Sequence, residues 1–235
     1  DEAKSIEARA LQLGASTHTC IDAVDDYYNR GIKYLIFGNV LKNNTYPLSV
    51  SSERFFQAMA VLDHVQKVGA DFVAHGSTGA GNDQVRFDLV FEVLAPEVQI
   101  IAPIRELCLS RQQEIDYLKE KGFDFSWEKS KYSINQGIWG TSVGGVETLK
   151  SSGVLPEEAY PSQVTNGGTE RVTLGFEKGE PVSLNGEKMP PVTLIHRLHK
   201  IASKYGIGRD VHVGDTIIGT KGRVAFEAPA PLIIV

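Results

Sequence analysis

The stretch ADFVAHGSTGAGNDQVRFDLV, residues 70–90, decides the fold class of this 235-residue chain. Its apolar start predicts a short strand, its centre holds Gly76, Gly79 and Gly81, and its end has the periodicity of a helix. The next apolar run, VQIIAPI at 98–104, predicts a second strand without polar alternation. Buried strands separated by helices are typical of a parallel sheet that is covered on both faces. We therefore expect an α/β fold in the first half of the chain.

The flanking segments extend this pattern, and their composition changes near residue 127. Helices are predicted over 1–14, over 22–38 with a break near Gly31, over 49–69 with Phe55, Met59, Leu62 and Val65 on one face, and over 111–121 behind a Ser110–Gln113 capping box. Strands are predicted at THTCID (17–22) and at the final APLIIV (230–235), and the second half adds a hairpin at 172–189, a helix at 192–206 and two or three short strands at 210–229. The expected organisation is a parallel-sheet domain, residues 1–127, followed by an α+β domain, residues 128–235.

Composition and charge exclude several classes of function. Lys and Arg number 24 against 29 Asp and Glu, and the charges are interspersed, so we expect no nucleic-acid partner and no membrane surface. Cys20 and Cys108 match no metal or redox spacing. His196 and His199 lie three apart without a Cys or carboxylate alongside, so no metal site is expected. With no signal peptide and no long apolar run, a cytoplasmic location is predicted.

The glycine-rich turn carries more polar chemistry than a helix cap needs. A turn between a strand and a helix presents backbone N–H groups to an anion, at the edge where ligands collect in α/β sheets. Asn82, Asp83 and Arg86 fall on the first turn of the following helix, and Thr78 precedes them. Arg86 offers a planar fork for a carboxylate or phosphate, and Asp83 can hold an ammonium group or a metal. By spacing alone, a tight structural turn with a capped helix stays open as the alternative, and for His75 both packing and a nucleotide contact stay open.

Longer motifs extend this turn into a family resemblance. The segment HGSTGAGNDQVRFDLVFEVLAPEVQIIAPIRE (75–106) resembles the argininosuccinate synthase family, with its HG-x-TG-x-GNDQVRFE segment and the LAP and IAPWR motifs that follow. Further pieces agree in order along the whole chain: YPLSVSSER, KYSINQGIWGTS, FEKGEPVSLNGEKM and GIGRD with GTKGRVAFEAP.

The resemblance implies a ligase. Family members join L-citrulline to L-aspartate with ATP and Mg²⁺ as co-substrate and no prosthetic group, and they release AMP and pyrophosphate by way of a citrullyl-AMP intermediate. It also implies a Rossmann-like nucleotide-binding domain of the adenine nucleotide α-hydrolase type, a synthetase domain that takes part in multimerisation, and a homotetramer.

Site residues carry over by position in the motifs. The resemblance places Gly76 against ATP and assigns Asp83 and Arg86 to the reacting centre. Aspartate would be bound by Thr78, Asn82 and Asp83. Citrulline would be bound by Tyr46, Ser51, Asn82, Arg86, Ser133 and Ser142.

The chain also departs from the family pattern. It lacks the N-terminal SGG-x-D loop for pyrophosphate and the C-terminal helix of the tetramer, so we expect both ends to be cuts and ATP to bind poorly. Gly214 and Phe226 stand where the family has a glutamate and a tyrosine near citrulline, with Asp215 as a possible substitute, and Ala80 replaces a basic residue. Two alternatives therefore remain open: a truncated, non-catalytic chain for amino-acid binding or assembly, and a related adenylating ligase with another acceptor.

Overall fold

A computed structural model describes residues 2–79, 81–123, 131–216 and 219–235. The helices in these ranges are α1 (Glu2–Gln12), α2 (Val24–Tyr27), α3 (Lys33–Phe37), α4 (Ser49–Val68), α5 (Asp83–Leu94), α6 (Pro103–Glu106), α7 (Arg111–Glu120), α8 (Pro191–Ala202) and α9 (Pro229–Ile234). The strands are β1 (Phe72–Ala74), β2 (Gln99–Ile101), β3 (Ser133–Gly137), β4 (Gly140–Gly144), β5 (Leu174–Glu177), β6 (Glu180–Leu184), β7 (Glu187–Lys188), β8 (Arg209–Thr216) and β9 (Gly219–Glu227). The predicted domain boundary after residue 127 lies outside the described residues and stays a prediction.

The first half contains a parallel strand pair covered by helices. β1 pairs with β2 in parallel, Val73 opposite Ile100, and α5 connects the two strands. α4 and α5 pack on this pair, and their shared core contains Ala58, Leu62, Val65, Val73, Val90, Phe91 and Ala95. Phe55 and Met59 pack against the same core, as the predicted face of the helix required. The predicted α/β architecture is confirmed. The Ser110–Gln113 capping box at the start of α7 is also present.

Two predicted strands are wrong for different physical reasons. Residues 17–22 form no strand, because no backbone ladder pairs them with any of the described strands. The final APLIIV is helical: Pro229 begins α9, where its missing N–H is no loss, and Val235 N donates to the carbonyl of Pro231 at 2.9 Å. A short apolar run has the same composition in a buried helix as in a buried strand.

The helical pattern at 22–38 continues through its predicted break. A π-helical segment, Tyr28–Ile32, joins α2 to α3, and Tyr27 and Lys33 on either side of it have right-handed helical dihedral angles. A Cβ atom at Gly31 would lie only 2.7 Å from Cε2 of Phe56, so the glycine allows α4 to approach this segment closely. Gly31 therefore acts through packing rather than as a helix stop.

The second half contains two antiparallel sheets and one amphipathic helix. The sheet orders are β3-β4-β9-β8 and β5-β6-β7, and the second contains the predicted hairpin. α8, in the predicted 192–206 segment, buries Leu194, Ile195, Leu198 and Ala202. None of the described helices is long and apolar enough to cross a membrane.

One core cluster joins the two halves of the chain. Trp139, at the β3–β4 turn, is fully buried together with Ile32 and Leu194. Its indole N–H donates a hydrogen bond to the carbonyl of Pro47 at 3.0 Å. This contact holds the loop before α4 against the β3–β4 hairpin, and both segments reach the site described next.

Candidate functional site

Polar residues from distant parts of the sequence meet at one cavity of about 450 Å³. The cavity lies between the N-terminal ends of α4 and α5, the β3–β4 hairpin and the β8–β9 pair. Seven of the predicted site residues line it: Tyr46, Ser51, Asn82, Asp83, Arg86, Ser133 and Ser142. Their proposed roles stay predictions, but the fold places them around a common space.

The loop before α4 positions Tyr46 and Ser51, the first two of these seven residues. Leu48 adopts a left-handed conformation (φ 57°), which lets the chain turn sharply into the helix. The Tyr46 hydroxyl then accepts a hydrogen bond from the backbone N–H of Ser51 at 3.4 Å and another from the Ser49 hydroxyl at 3.3 Å. Tyr46 is almost fully buried, so its ring forms a fixed wall of the cavity.

Asp83 lies between two guanidinium groups. Its Oδ1 accepts from Arg86 at 2.9 Å on the same helix, and its Oδ2 accepts from Nε of Arg54 on α4 at 3.4 Å. Arg54 also donates to Oδ1 of Asn135 in β3 at 3.0 Å, so one side chain connects three elements. Beside it, burial raises the pKa of the Glu53 carboxyl, and the nearby charge of Arg54 lowers that pKa by a smaller amount.

The β3–β4 hairpin presents one polar face to the cavity. Side chains two apart on a strand share a face, so Ser133 and Asn135 lie on one face of β3, and Ser142 lies on the same face of β4 as the Gly144 position. The antiparallel register places Asn135 opposite Ser142 and Ser133 opposite Gly144. All four residues line the cavity. The two serines, nine positions apart in sequence, are thereby neighbours on one surface.

Gly76 and Thr78 lie outside the described lining of this cavity. A Cβ atom at Gly76 would meet nothing within 4 Å, so the backbone there is open to a ligand. The carbonyl of Thr78 accepts from the backbone N–H of Gly81 at 3.3 Å, which closes the turn. The structure therefore keeps these two residues in the glycine-rich turn and does not bring them to the other seven.

Sequence reasoning missed several residues that also line the cavity, notably Lys42, Asn135, His212 and Arg223. The His212 ring stacks on Tyr46, with ring centroids 4.0 Å apart and planes 6° apart. Arg223 donates to the backbone carbonyls of Ser151 and Gly153 at 2.8 and 2.7 Å. His212 lies on β8 and Arg223 on β9, so the pairing of these two strands brings them to the cavity, whereas Asn135 lies on β3 beside Ser133.

The predicted departures from the family pattern lie in the same region. Gly214 lines the cavity, and Phe226 is fully buried with its ring 5.4 Å from that of Tyr46. The Phe226 ring packs in a core cluster with Tyr46 and is not among the described residues that line the cavity. Ala80 and the side chain of Asp215 lie outside the described part of the structure. Within the described residues, no group of three or more His, Cys, Asp or Glu could hold a metal ion.

Comparison with known proteins agrees with the motifs and the architecture. The model of the Arginosuccinate synthase N-terminal HUP domain matches residues 1–124, and that of the Arginosuccinate synthase C-terminal domain matches residues 132–235. Curated relatives named argininosuccinate synthase include those of Sulfurisphaera tokodaii (39% identical over 236 residues), Methanocaldococcus jannaschii (41% over 237) and Pyrococcus furiosus (40% over 239). Each alignment covers 100% of this chain and 58–60% of the relative.

The chain thus spans about 60% of the length of the curated relatives that it matches. Both family models, which together cover residues 1–124 and 132–235, belong to one family, and the relatives match over the whole chain. The resemblance seen in the motifs is confirmed, and the chain belongs to the argininosuccinate synthase family.

Proposed function

We propose that this chain carries the amino-acid-binding part of an argininosuccinate synthase, which condenses L-citrulline with L-aspartate at the expense of ATP. The observation that carries the proposal is the meeting of seven motif residues from both halves of the chain around one cavity. The printed names of the relatives, at about 40% identity over the whole chain, support the same assignment.

The charges of the cavity suit two amino acids. Asp83 would receive the ammonium group of aspartate, with the hydroxyl of Thr78 and the amide of Asn82 beside it. Arg86 would hold a carboxylate of citrulline through its planar fork. The hydroxyls of Tyr46, Ser51, Ser133 and Ser142 would complete the citrulline site, since neutral donors can bind a carboxylate without adding charge.

In the proposed reaction the chain mainly positions its substrates. The ureido oxygen of citrulline attacks the α-phosphorus of ATP, and pyrophosphate leaves with the electrons of the broken P–O bond. The amine of aspartate, after losing a proton, attacks the ureido carbon, and AMP leaves. Asp83 and Arg86 would orient the two reactants and compensate their charges, which lowers the barrier without a protein nucleophile.

The nucleotide site is proposed at the glycine-rich turn, with the backbone at Gly76 facing ATP and Mg²⁺ accompanying the phosphates. We further propose, from the family alone, that the working form is a cytoplasmic homotetramer and that no prosthetic group takes part. Sedimentation at several protein concentrations tests the assembly.

A binding and turnover experiment tests the main proposal. Calorimetric titration of the chain should show binding of both aspartate and citrulline. Sustained pyrophosphate release should require both amino acids together with ATP and Mg²⁺, because citrulline without aspartate supports only one release per site. Binding without turnover would support the alternative of an amino-acid-binding or assembly chain. Turnover with a different ureido or amide acceptor would support the related ligase. If neither amino acid binds, the main proposal and the amino-acid-binding alternative are both overturned.

Asp83→Asn should weaken aspartate binding by about 10- to 100-fold, because a charged hydrogen bond contributes roughly 1.5–3 kcal/mol. Citrulline affinity should change far less. The matched control is Asp26→Asn, which removes the Asp of another helical Asp–Arg pair, Asp26–Arg30, with side chains about half exposed and 3.0 Å apart. Calorimetry on both variants gives the comparison. Equal aspartate affinity in the two variants would remove Asp83 from the site.

A further inference from the structure

Three charged or polar side chains lie behind the glycine-rich turn, away from the cavity. They are His75 at the end of β1, Asp88 on α5 and Arg105 on α6, with side chains 10%, 20% and 29% exposed. His75 Nε2 lies 3.0 Å from Oδ1 of Asp88, and Arg105 donates to Oδ2 of the same carboxylate. None of the three is among the described residues that line the cavity.

His75 connects this group to the start of the turn. The backbone N–H of Ser77 donates to Nδ1 of His75 at 3.3 Å, so Nδ1 carries a lone pair and no proton. The ring proton must then lie on Nε2, where it is donated to Asp88. The carboxylate thus selects the tautomer of His75 that can accept from Ser77.

Gln84 connects the same group to the end of the turn. Its amide N–H donates to the carbonyls of Gly79 at 2.6 Å and Gly81 at 3.3 Å. Its amide oxygen accepts from Arg105 at 3.3 Å. Because Arg105 also pairs with Asp88, hydrogen bonds tie both ends of the turn to one carboxylate–guanidinium pair.

We infer that His75, Asp88 and Arg105, together with Gln84, are positioning residues that hold the glycine-rich turn in its ligand-binding shape. Gly76, Gly79 and Gly81 leave the turn free to adopt many backbone conformations, so its geometry must come from side chains around it. In the first half of the turn, Nδ1 of His75 accepts one hydrogen bond. In the second half, the amide N–H group of Gln84 donates two. This inference rests on the proposed function, because that function places aspartate and ATP at Thr78 and Gly76.

Two substitutions at His75 separate the two hydrogen bonds of its ring. Asparagine puts an amide near the position of Nδ1, so His75→Asn keeps an acceptor for Ser77 and loses the reach to Asp88. Glutamine puts an amide near the position of Nε2, so His75→Gln keeps the donor to Asp88 and loses the acceptor. His196→Asn, on the exposed face of α8, is the matched control.

The first readout is hydrogen exchange of the Ser77 amide, which does not depend on activity. Exchange should be about tenfold or more faster in His75→Gln than in the native chain, and nearly unchanged in His75→Asn and in the control. The second readout is calorimetry. Aspartate affinity should fall about tenfold in His75→Gln and be largely retained in His75→Asn, while citrulline affinity stays within about twofold in both.

The outcomes distinguish this inference from the function on which it rests. If the native chain binds no aspartate, the proposed function fails, and Ser77 exchange still tests the network. If the two His75 variants exchange Ser77 equally fast, or lose equal aspartate affinity, the contact is incidental and the inference is overturned. Should His75→Gln not fold, Arg105→Met tests the network from the other end: a selective loss of aspartate affinity supports it, and equal loss of both amino acids overturns it.

Discussion

Replacing Arg209 with methionine is expected to lower the free energy of unfolding by about 3–5 kcal/mol, because it leaves a buried carboxylate without its cation. Arg209 begins β8 and Glu227 ends β9, and the antiparallel register places them opposite each other. Nε of Arg209 donates to Oε2 of Glu227 at 2.9 Å, and the side chains are only 11% and 1% exposed. Methionine keeps much of the apolar volume of the arginine side chain. The loss of stability therefore measures the effect of removing the charge rather than the effect of removing volume.

The same guanidinium also organises a neighbouring loop. Arg209 donates to Oε2 of Glu157 at 2.6 Å and to the carbonyl of Ser162, and its Cζ lies 4.3 Å from the centre of the Tyr160 ring. The hydrogen bond from Arg209 lowers the pKa of the Glu157 carboxyl, and a second one from the backbone N–H of Val164 adds to this. Arg209→Met should therefore loosen the segment from Glu157 to Ser162 as well as the sheet edge.

Urea unfolding of three variants measures the effect. The double variant Arg209→Met/Glu227→Gln removes the unpaired charge and should recover part of the stability that Arg209→Met loses. Lys188→Met is the control, because it breaks a 3.0 Å pair with Glu177 whose side chains are 79% and 64% exposed. Such a pair contributes about 1 kcal/mol or less. A double variant no more stable than Arg209→Met would show that the buried charge is not the cause.

Trp139→Ala is the second large change, with an expected loss of about 3–5 kcal/mol in the free energy of unfolding. The side chain is fully buried in the cluster that joins the two halves of the chain, so alanine leaves a cavity there. It also leaves the carbonyl of Pro47 without the indole donor that lies 3.0 Å away. Since Pro47 follows Tyr46, ligand affinity should fall together with stability.

Trp139→Phe separates these contributions. Phenylalanine keeps most of the apolar volume and removes the N–H, so the loss should be nearer the roughly 1–3 kcal/mol of an unsatisfied buried acceptor. Denaturant titrations followed by far-UV circular dichroism give both values. Leu107→Ala, at a side chain 66% exposed, is the control and should change stability by about 0.5 kcal/mol or less. A comparable loss in the control would contradict the assigned role of the cluster.

Local patterns predicted the local structure well. The Ser110–Gln113 capping box and the apolar face with Leu62 and Val65 both depend on residues three or four apart, and both are present. APLIIV was mispredicted because composition cannot tell a buried helix from a buried strand, and residues 17–22 because a strand exists only with a neighbour. Both wrong strand predictions concern segments whose structure depends on contacts with residues distant in sequence.

The same distinction divides the candidate site. Asn82, Asp83 and Arg86 lie within five positions of each other, and their motif could be read directly. His212 and Arg223 reach the cavity only because β8 pairs with β9 in one particular register, His212 opposite Val224. Arg54 contacts Asp83 and Asn135 across three separate elements. The spacing of such residues along the sequence does not show that they meet, because the register and the helix packing that place them are properties of the folded chain.

The position of Asp83 between Arg54 and Arg86 affects which ligands can bind to the Asp83 carboxylate. A simple amine or an alkali cation that approaches Asp83 must compete with two guanidinium groups and offers them nothing in exchange. A zwitterion offers its ammonium to the carboxylate and its own carboxylate to a released guanidinium, so each broken ion pair is replaced by a new one. We therefore expect the arrangement to favour zwitterionic ligands over monovalent cations.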